Sequence, residues 1–240
     1  MSWLITGSEK NPTDPFRSQV SLLLHGDGTN GSTTITDNSP SPKTVTAVGN
    51  AQISTAIADP FGNSTGVLAF DGAGDAATTA NSSDFRLNGD FTVELWVYPN
   101  SLTAERYFVS HYDYGSAQRD WRFGLKNGSA HLHFEFVAAA GTAENEISAG
   151  VGLTLRTWQH IAVTKSASTS RIFINGIQQA SSTALVDLGG STALLSICSL
   201  LNSGGPALGF NGYIDDLRIT KGVARYTANF TPPTAPFPDI

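Results

Sequence analysis

Phe91-Thr-Val-Glu-Leu-Trp-Val-Tyr-Pro99 alternates without a break. Successive side chains of a strand point to opposite faces. Phe91, Val93, Leu95 and Val97 therefore form one apolar face, and Thr92, Glu94, Trp96 and Tyr98 form the other. With Trp96 and Tyr98 on the second face, both faces need at least partial cover, so this strand belongs to a layered sheet.

Working outward, Tyr107–His111, Asp120–Leu125 and Ala130–Val137 follow at the spacing of a meander, with Lys126-Asn-Gly-Ser129 as a hairpin turn. Trp158–Lys165 and Ser170–Gln179 form the next pair, the second interrupted at Asn175-Gly176. Upstream, Ser18–Leu24, Lys43–Val48, Gln52–Thr55 and Val67–Phe70 read as strands, and Asp84–Leu87 as a strand partner. Leu194–Leu200 adds one more. About a dozen strands without a helical period predict an all-β, two-sheet antiparallel sandwich. The expected organisation is an arm over residues 1–17, one sandwich domain over 18–222, and an extended proline-rich tail over 223–240. Such a tail lies along its own domain or on a partner.

Composition bounds the partners. Fourteen Lys and Arg against 20 Asp and Glu give a net charge of −6. No basic stripe for nucleic acid or anionic lipid is present, and no apolar run approaches membrane-spanning length. Twenty-four Gly and 13 Phe against a single Met suit short strands and tight turns. Cys198, the one cysteine, sits in the apolar run Leu194–Leu200 and reads as a small core residue. Met1–Gly7 lacks the regions of a signal peptide, so synthesis and folding in a cytoplasm are expected.

Phe210-Asn-Gly-Tyr-Ile-Asp-Asp-Leu-Arg-Ile-Thr220 poses a conflict. Strict alternation groups Tyr213, Asp215, Leu217 and Ile219, and leaves Asp216 and Arg218 free to face water. Asp215 would then be a carboxylate among core residues, and a buried carboxylate needs a cation or several donors.

The ordered series Phe70-Asp-Gly-Ala-Gly-Asp75, Phe91–Pro99, Trp158–Thr164, Arg171-Ile-Phe-Ile-Asn-Gly176 and Gly212–Arg218 resembles the laminin-G-like, concanavalin A-like jelly rolls. The flanks Ser21-Leu-Leu-Leu-His-Gly-Asp-Gly-Thr29 and Lys221–Pro233 look like the versions carried by tailed-bacteriophage virion proteins. The resemblance implies two curved sheets packed face to face, often with a structural calcium near the closing strand. Asp215 matches the carboxylate that such a strand supplies. Asp27, with neighbouring carbonyls, is the candidate on the other side, because calcium takes six to eight hard oxygens. Asp71 and Asp75 are weaker candidates. Turn capping or a hydrogen-bonded buried Asp is the competing reading of all four.

Catalytic signatures are sparse. No Glu-x-Asp-x-x-Glu run occurs, Glu94 and Glu135 stand alone on their strand faces, and no nucleophile motif lies near a histidine. His131, His133 and Glu135 share one face of their strand, yet i and i+2 are about 7 Å apart, long for a common ion. Arg122, Trp96 and Tyr98 are expected on the same face, and with those three they form a candidate sugar site of aromatic planes beside polar groups; the competing readings are core packing under a covering loop for Trp96 and solvated or inter-subunit polar contacts for His131, His133 and Glu135. The expectation is a non-enzymatic structural or attachment component of a phage particle, found in the virion. It would associate with other virion proteins or with copies of itself. The alternative is a module that binds a host cell-surface glycan.

Overall fold

The computed structural model describes residues 13–126, 129–137, 144–183, 188 and 190–239. Its first strands are β1 (Val20–Leu24), β2 (Thr34–Ile35), β3 (Val45–Val48), β4 (Gln52–Ser54), β5 (Val67–Asp71) and β6 (Ala76–Thr79). The middle of the chain supplies β7 (Phe91–Pro99), β8 (Arg106–Asp113), β9 (Gln118–Leu125), β10 (His131–Val137), β11 (Glu144–Gly152) and β12 (Gln159–Ser166). The last are β13 (Thr169–Ile174), β14 (Ile177–Ser182), β15 (Leu195–Ile197), β16 (Leu200–Asn202), β17 (Gly205–Ala207) and β18 (Asn211–Lys221).

Two sheets form the jelly-roll sandwich. Sheet A runs β14-β13-β12-β7-β18-β5-β4, with β1 also on β18, and sheet B runs β11-β10-β9-β8-β15-β6-β3-β2. Pairing between the strands is antiparallel except where β16 meets β8. The apolar face of β7 meets the inner face of sheet B, where Phe91 lies 5.7 Å from Phe134. Trp121 and Phe123 of β9 fill the same layer, and Cys198 is buried there as expected.

Several sequence expectations need correction. Asp84–Leu87 is not a strand: Ser82 accepts a hydrogen bond from Asp84 N (3.1 Å) and caps a 3-10 turn, Ser83–Phe85, anchored by buried Phe85. The Leu194–Leu200 run is split into β15 and β16 at Cys198, whose φ is +62°. β2, β6, β11 and β17 have no counterpart among the strands read from the sequence. The turn at Lys126–Ser129 has its two central residues, and the arm has residues 1–12, outside the described residues.

β18 does not alternate as read. A β-bulge lies between Asp215 and Arg218, with Asp216 at φ +46°. Before it, Ile214 faces the core, and Tyr213 packs against Tyr98 on the outer side of sheet A. After it, Leu217 and Ile219 face the core and Arg218 the outer side. Asp215 is thus not among core residues. Asp216 and Arg218 are likewise not in water: both are buried.

What buries them is the chain's own two ends. Glu94 accepts from Arg218 Nη2 (2.7 Å) and Nε (2.9 Å), from Tyr226 Oη (2.7 Å), and lies 3.2 Å from His160 Nε2. Asp14 closes the network, accepting from Arg225 at 2.7 and 3.0 Å and from Arg218 at 3.3 Å. Tyr226 and Phe230 stack at 3.5 Å over Phe173 and His160. Phe237 sits under the Arg218 guanidinium at 3.6 Å and packs with Val20 and Leu23. Backbone bonds fix the tail further: Phe230 N donates to Gly176 O (2.9 Å) and Phe237 N to Asp216 Oδ2 (2.8 Å). The tail lies on its own domain.

Burial alone would raise the pKa of Glu94, but Arg218, with His160 and Arg225, outweighs it and holds the group at about 2. Its ordinary value is 4.5. The stabilisation is therefore complete above 4.5 and is lost as pH falls through about 2. Glu94→Gln leaves Arg218 short of its counter-charge and is expected to cost about 3–5 kcal/mol in urea unfolding at pH 7. The gap to wild type should close on acidification; a loss under about 1 kcal/mol would contradict this reading of the network.

Candidate functional site

Beyond the tail, the outer side of sheet A carries a row of half-buried rings. Tyr98 lies 5.6 Å from Trp158 and 5.9 Å from Tyr213. Tyr98 and Tyr213 are cross-strand partners in register on β7 and β18. The row ends in a groove of about 720 Å³, lined by Asn50, Gln52, Asp71, Asn100, Asn211 and Tyr213. The groove lies where β4, β5 and β18 meet the turns at their ends, so its walls offer side-chain amides. Asn and Gln both donate and accept, and an aromatic plane covers apolar ring faces, a pairing that suits a polyhydroxylated ligand.

Asp71 and Asp75 serve the turn beside it. Asp75 accepts from Asn50 N (2.6 Å) and Asp71 N (2.7 Å), and Asp71 accepts from Asn50 Nδ2 (3.1 Å) and Ala73 N (2.7 Å). Turn capping accounts for both. The hydrogen bond from Asn50 holds Asp71 below its ordinary pKa.

Asp215 lies at the point where the partner of β18 changes. β5 pairs with Asn211–Ile214 and β1 with Leu217–Thr220, leaving Asp215 between them. The loop after β1 turns here at Gly26, φ +74°; a Cβ on it would stand 3.1 Å from Asp215 Oδ1 and 3.0 Å from Leu68 N. Among the described side-chain bonds, Asp215 accepts one, from Asp216 N (2.9 Å). Burial, the Asp216 charge and the charges of Asp59 and Asp27 push its pKa up to about 9. Asp27 is exposed; Asp59 is buried, accepting from Phe61 N (2.9 Å) and Asn63 N (2.8 Å). Asp216, by contrast, is fully engaged with His25 and Phe237 N.

The remaining predicted residues divide between the two sheets. Trp96 lies on sheet A and packs under Phe61 (5.8 Å) and against His160 (5.4 Å). Arg122, His131, His133 and Glu135 lie on sheet B. The shared face expected for all six is therefore not formed, because β7 and β9–β10 belong to opposite sheets. Arg122 is sandwiched between the rings of Tyr107 (4.9 Å) and Tyr112 (4.5 Å) and bound to Glu135 and Glu144. Its Nε and Nη2 are committed within the protein. His131, half-buried, takes no part in that network. A different trio does converge: His133, Glu135 and Glu146 place one donor atom each within 4.8 Å of one another, a His/Glu cluster that could coordinate a metal ion. Of the groove and ring row, sequence reading found Tyr98 and missed Tyr213, Trp158 and the amides. Tyr213 was visible two residues before Asp215, but its side of the sheet was not.

A family profile described as the concanavalin A-like lectin/glucanases superfamily matches residues 71–225. No curated protein matches the chain. Among solved structures, domain 4 of AbnA, a GH43 extracellular arabinanase from Geobacillus stearothermophilus in complex with arabinotriose, is 18% identical. It superposes with a TM-score of 0.60 over 86% of this chain and 95% of that one. The botulinum neurotoxin serotype D binding domain gives 13% identity and a TM-score of 0.61 over 87% of this chain. This chain spans about half, 49%, of that domain. The CBM40 of a Ruminococcus gnavus IT-sialidase, bound to α2,3-sialyllactose, gives 13% identity and 0.51 over 59% of this chain and 80% of that one. These likenesses are of fold. With the profile match spanning well over half of its length, and the two-sheet jelly roll observed, the chain belongs to the concanavalin A-like lectin/glucanases superfamily.

Proposed function

We propose that this chain is a non-enzymatic glycan-binding module whose ligand lies in the amide-lined groove and stacks on the row Tyr213, Tyr98 and Trp158. The observation that carries it is the continuity of groove and rings through Tyr213. The arabinotriose and sialyllactose complexes of the two carbohydrate-bound neighbours support the class of ligand. Hydrolysis would need an acid and a base across the groove. Asp71, with its pKa lowered, is no general acid, and both oxygens of Asp75 are occupied by backbone N–H groups. A glycan array should return binders, and Tyr213→Ala or Trp158→Ala should weaken the best of them about tenfold in calorimetry. A blank array, or variants that bind as wild type does, would contradict the proposal.

A second reading, favoured by the likeness of Ser21–Thr29 and Lys221–Pro233 to virion proteins, places the module on a phage particle as a structural or attachment component. The arm would be its docking segment, in contact with other virion proteins or with copies of itself. Asp14 belongs to the buried network, so the test removes residues 1–12 only. Loss of incorporation into particles with an unchanged melt supports the arm as anchor; absence of the intact protein from particles sinks this reading.

Asp215 supports a structural calcium. A buried carboxylate with one described donor, beside Asp27 and Asp59 and a two-glycine loop of carbonyls, suits a hard cation. Without a cation, the folded state keeps the Asp215 proton up to about pH 9, whereas the unfolded chain releases it near 3.8. Stability should then fall as pH rises between those values. His25, raised to about 9 by Asp216 and Asp239 against its burial, adds a separate fall above 6.5. Comparison of wild type with Asp215→Asn from about pH 4 to 6 isolates Asp215 from that histidine. At free calcium near a hundred times Kd, stabilisation of about 2.7 kcal/mol is expected, roughly 5–10 °C in Tm, and none in the variant. A melt that ignores both calcium and chelator would sink the calcium.

A further inference from the structure

His133 lies on β10 directly opposite Gly124 of β9, which in turn faces Tyr107 of β8. A Cβ at position 124 would collide with Arg106 O at 2.1 Å and the Tyr107 ring at 2.8 Å. The glycine lets Tyr107 lie across β9 and stack on the imidazole, with centroids 5.5 Å apart and planes at 24°. The imidazole is thereby buried, its side chain 2% exposed, yet neither ring nitrogen has a hydrogen-bond partner among the described residues. Leaving such a polar group unsatisfied is costly, which makes it unusual in a settled structure.

Nδ1 faces two carboxylate oxygens, Glu135 Oε1 at 3.6 Å and Glu146 Oε2 at 3.8 Å. Both distances are too long for hydrogen bonds. Around a tetrahedral zinc ion with bonds of about 2.0–2.2 Å, donor atoms stand about 3.4 Å apart, close to what is observed. The other oxygen of each carboxylate is already held. Glu135 Oε2 takes Arg122 Nε and Tyr107 Oη (3.1 Å), and Glu146 Oε1 takes Lys126 Nζ. Those bonds orient the two carboxylates and leave one oxygen of each turned to the imidazole, as outer partners of metal ligands do. Glu146 reaches the site because it is the cross-strand partner of Glu135. The spacing along β10 that argued against His131, His133 and Glu135 is thus overcome from the neighbouring strand.

We propose that His133 Nδ1, Glu135 and Glu146 bind one divalent transition-metal ion, zinc by the donor set, with a fourth position open to water. One imidazole nitrogen with two carboxylate oxygens suits zinc better than calcium or magnesium, which take oxygen alone. Burial, the largest influence on His133, together with Arg122 and Lys126 and against Glu105 and Glu146, holds its pKa down to about 4. The ion would join β11, the edge strand of sheet B, to β10, far from the groove of sheet A.

The test is metal content after equilibration with zinc and exhaustive dialysis, with cobalt as a spectroscopic stand-in. Wild type should retain about one zinc per chain, and its cobalt form should show the intense visible bands of four-coordinate cobalt. His133→Ala and Glu146→Gln should each lower zinc affinity at least about a hundredfold, whereas Asp215→Asn should leave it unchanged. Glu146 has a 38% exposed side chain, so its variant keeps the fold, and circular dichroism checks this for both. No retained zinc in wild type, equal retention by Glu146→Gln, or loss of zinc on Asp215→Asn would each overturn the site. None of these readouts depends on glycan binding.

Discussion

Glu94 is fully buried, and its charge is met by Arg218 across the register of β7 and β18. An ion pair so placed needs every remaining lone pair and proton satisfied, or it destabilises the fold. Tyr226, His160, Arg225 and Asp14 supply those partners, and two of them come from the flanking segments after β18, one from before β1. The outer side of sheet A thus becomes a second interior, roofed by aromatic residues that the tail lays down in sequence. A tail with apolar residues alone could slide; one that must present Arg225 and Tyr226 to a fixed carboxylate has a single register.

The bulge at Asp216 makes this arrangement possible. It turns Arg218 toward Glu94 while keeping Ile214, Leu217 and Ile219 in the core. It also coincides with the exchange of β5 for β1 as partner of β18, and this exchange leaves the opening that Asp215 occupies. Bulges commonly re-aim side chains at functional places in sheets. Here one bulge serves the roofed half of the sheet on one side and, on the other, the unroofed half with Tyr213 and the groove. The proposed ligand surface is the part of sheet A that the chain ends leave uncovered.

Much of the fold was legible because alternation is a short-range signal: Phe91–Pro99 alone demanded two covered faces. β11 was not, since Glu-Asn-Glu-Ile-Ser-Ala-Gly-Val-Gly carries little alternation and is held by its neighbour β10. The resemblance set Asp27 across from Asp215, and the structure does bring the Gly26 turn beside Asp215, where β1 pairs with β18. What sequence could not give was side. A bulge shifts alternation by one residue and no composition marks it, so strict alternation puts Asp216 and Arg218 in water, where they are not, and Asp215 on the core face, although it is buried as expected. Trp96 and Arg122 read as members of one continuous meander, yet the chain changes sheets between β7 and β8. The amides of the groove are scattered over Asn50, Gln52, Asn100 and Asn211, and only the folded edge brings them together.

If the chain's ends are structural parts of sheet A, amide hydrogen exchange on the chain truncated after Gly222 will show it strand by strand. Amides of β7, β12 and β18 should lose protection by at least about tenfold, while β8, β9 and β10 of sheet B keep theirs. Equal protection in sheet A with and without the tail would mean that the ends are dispensable to it.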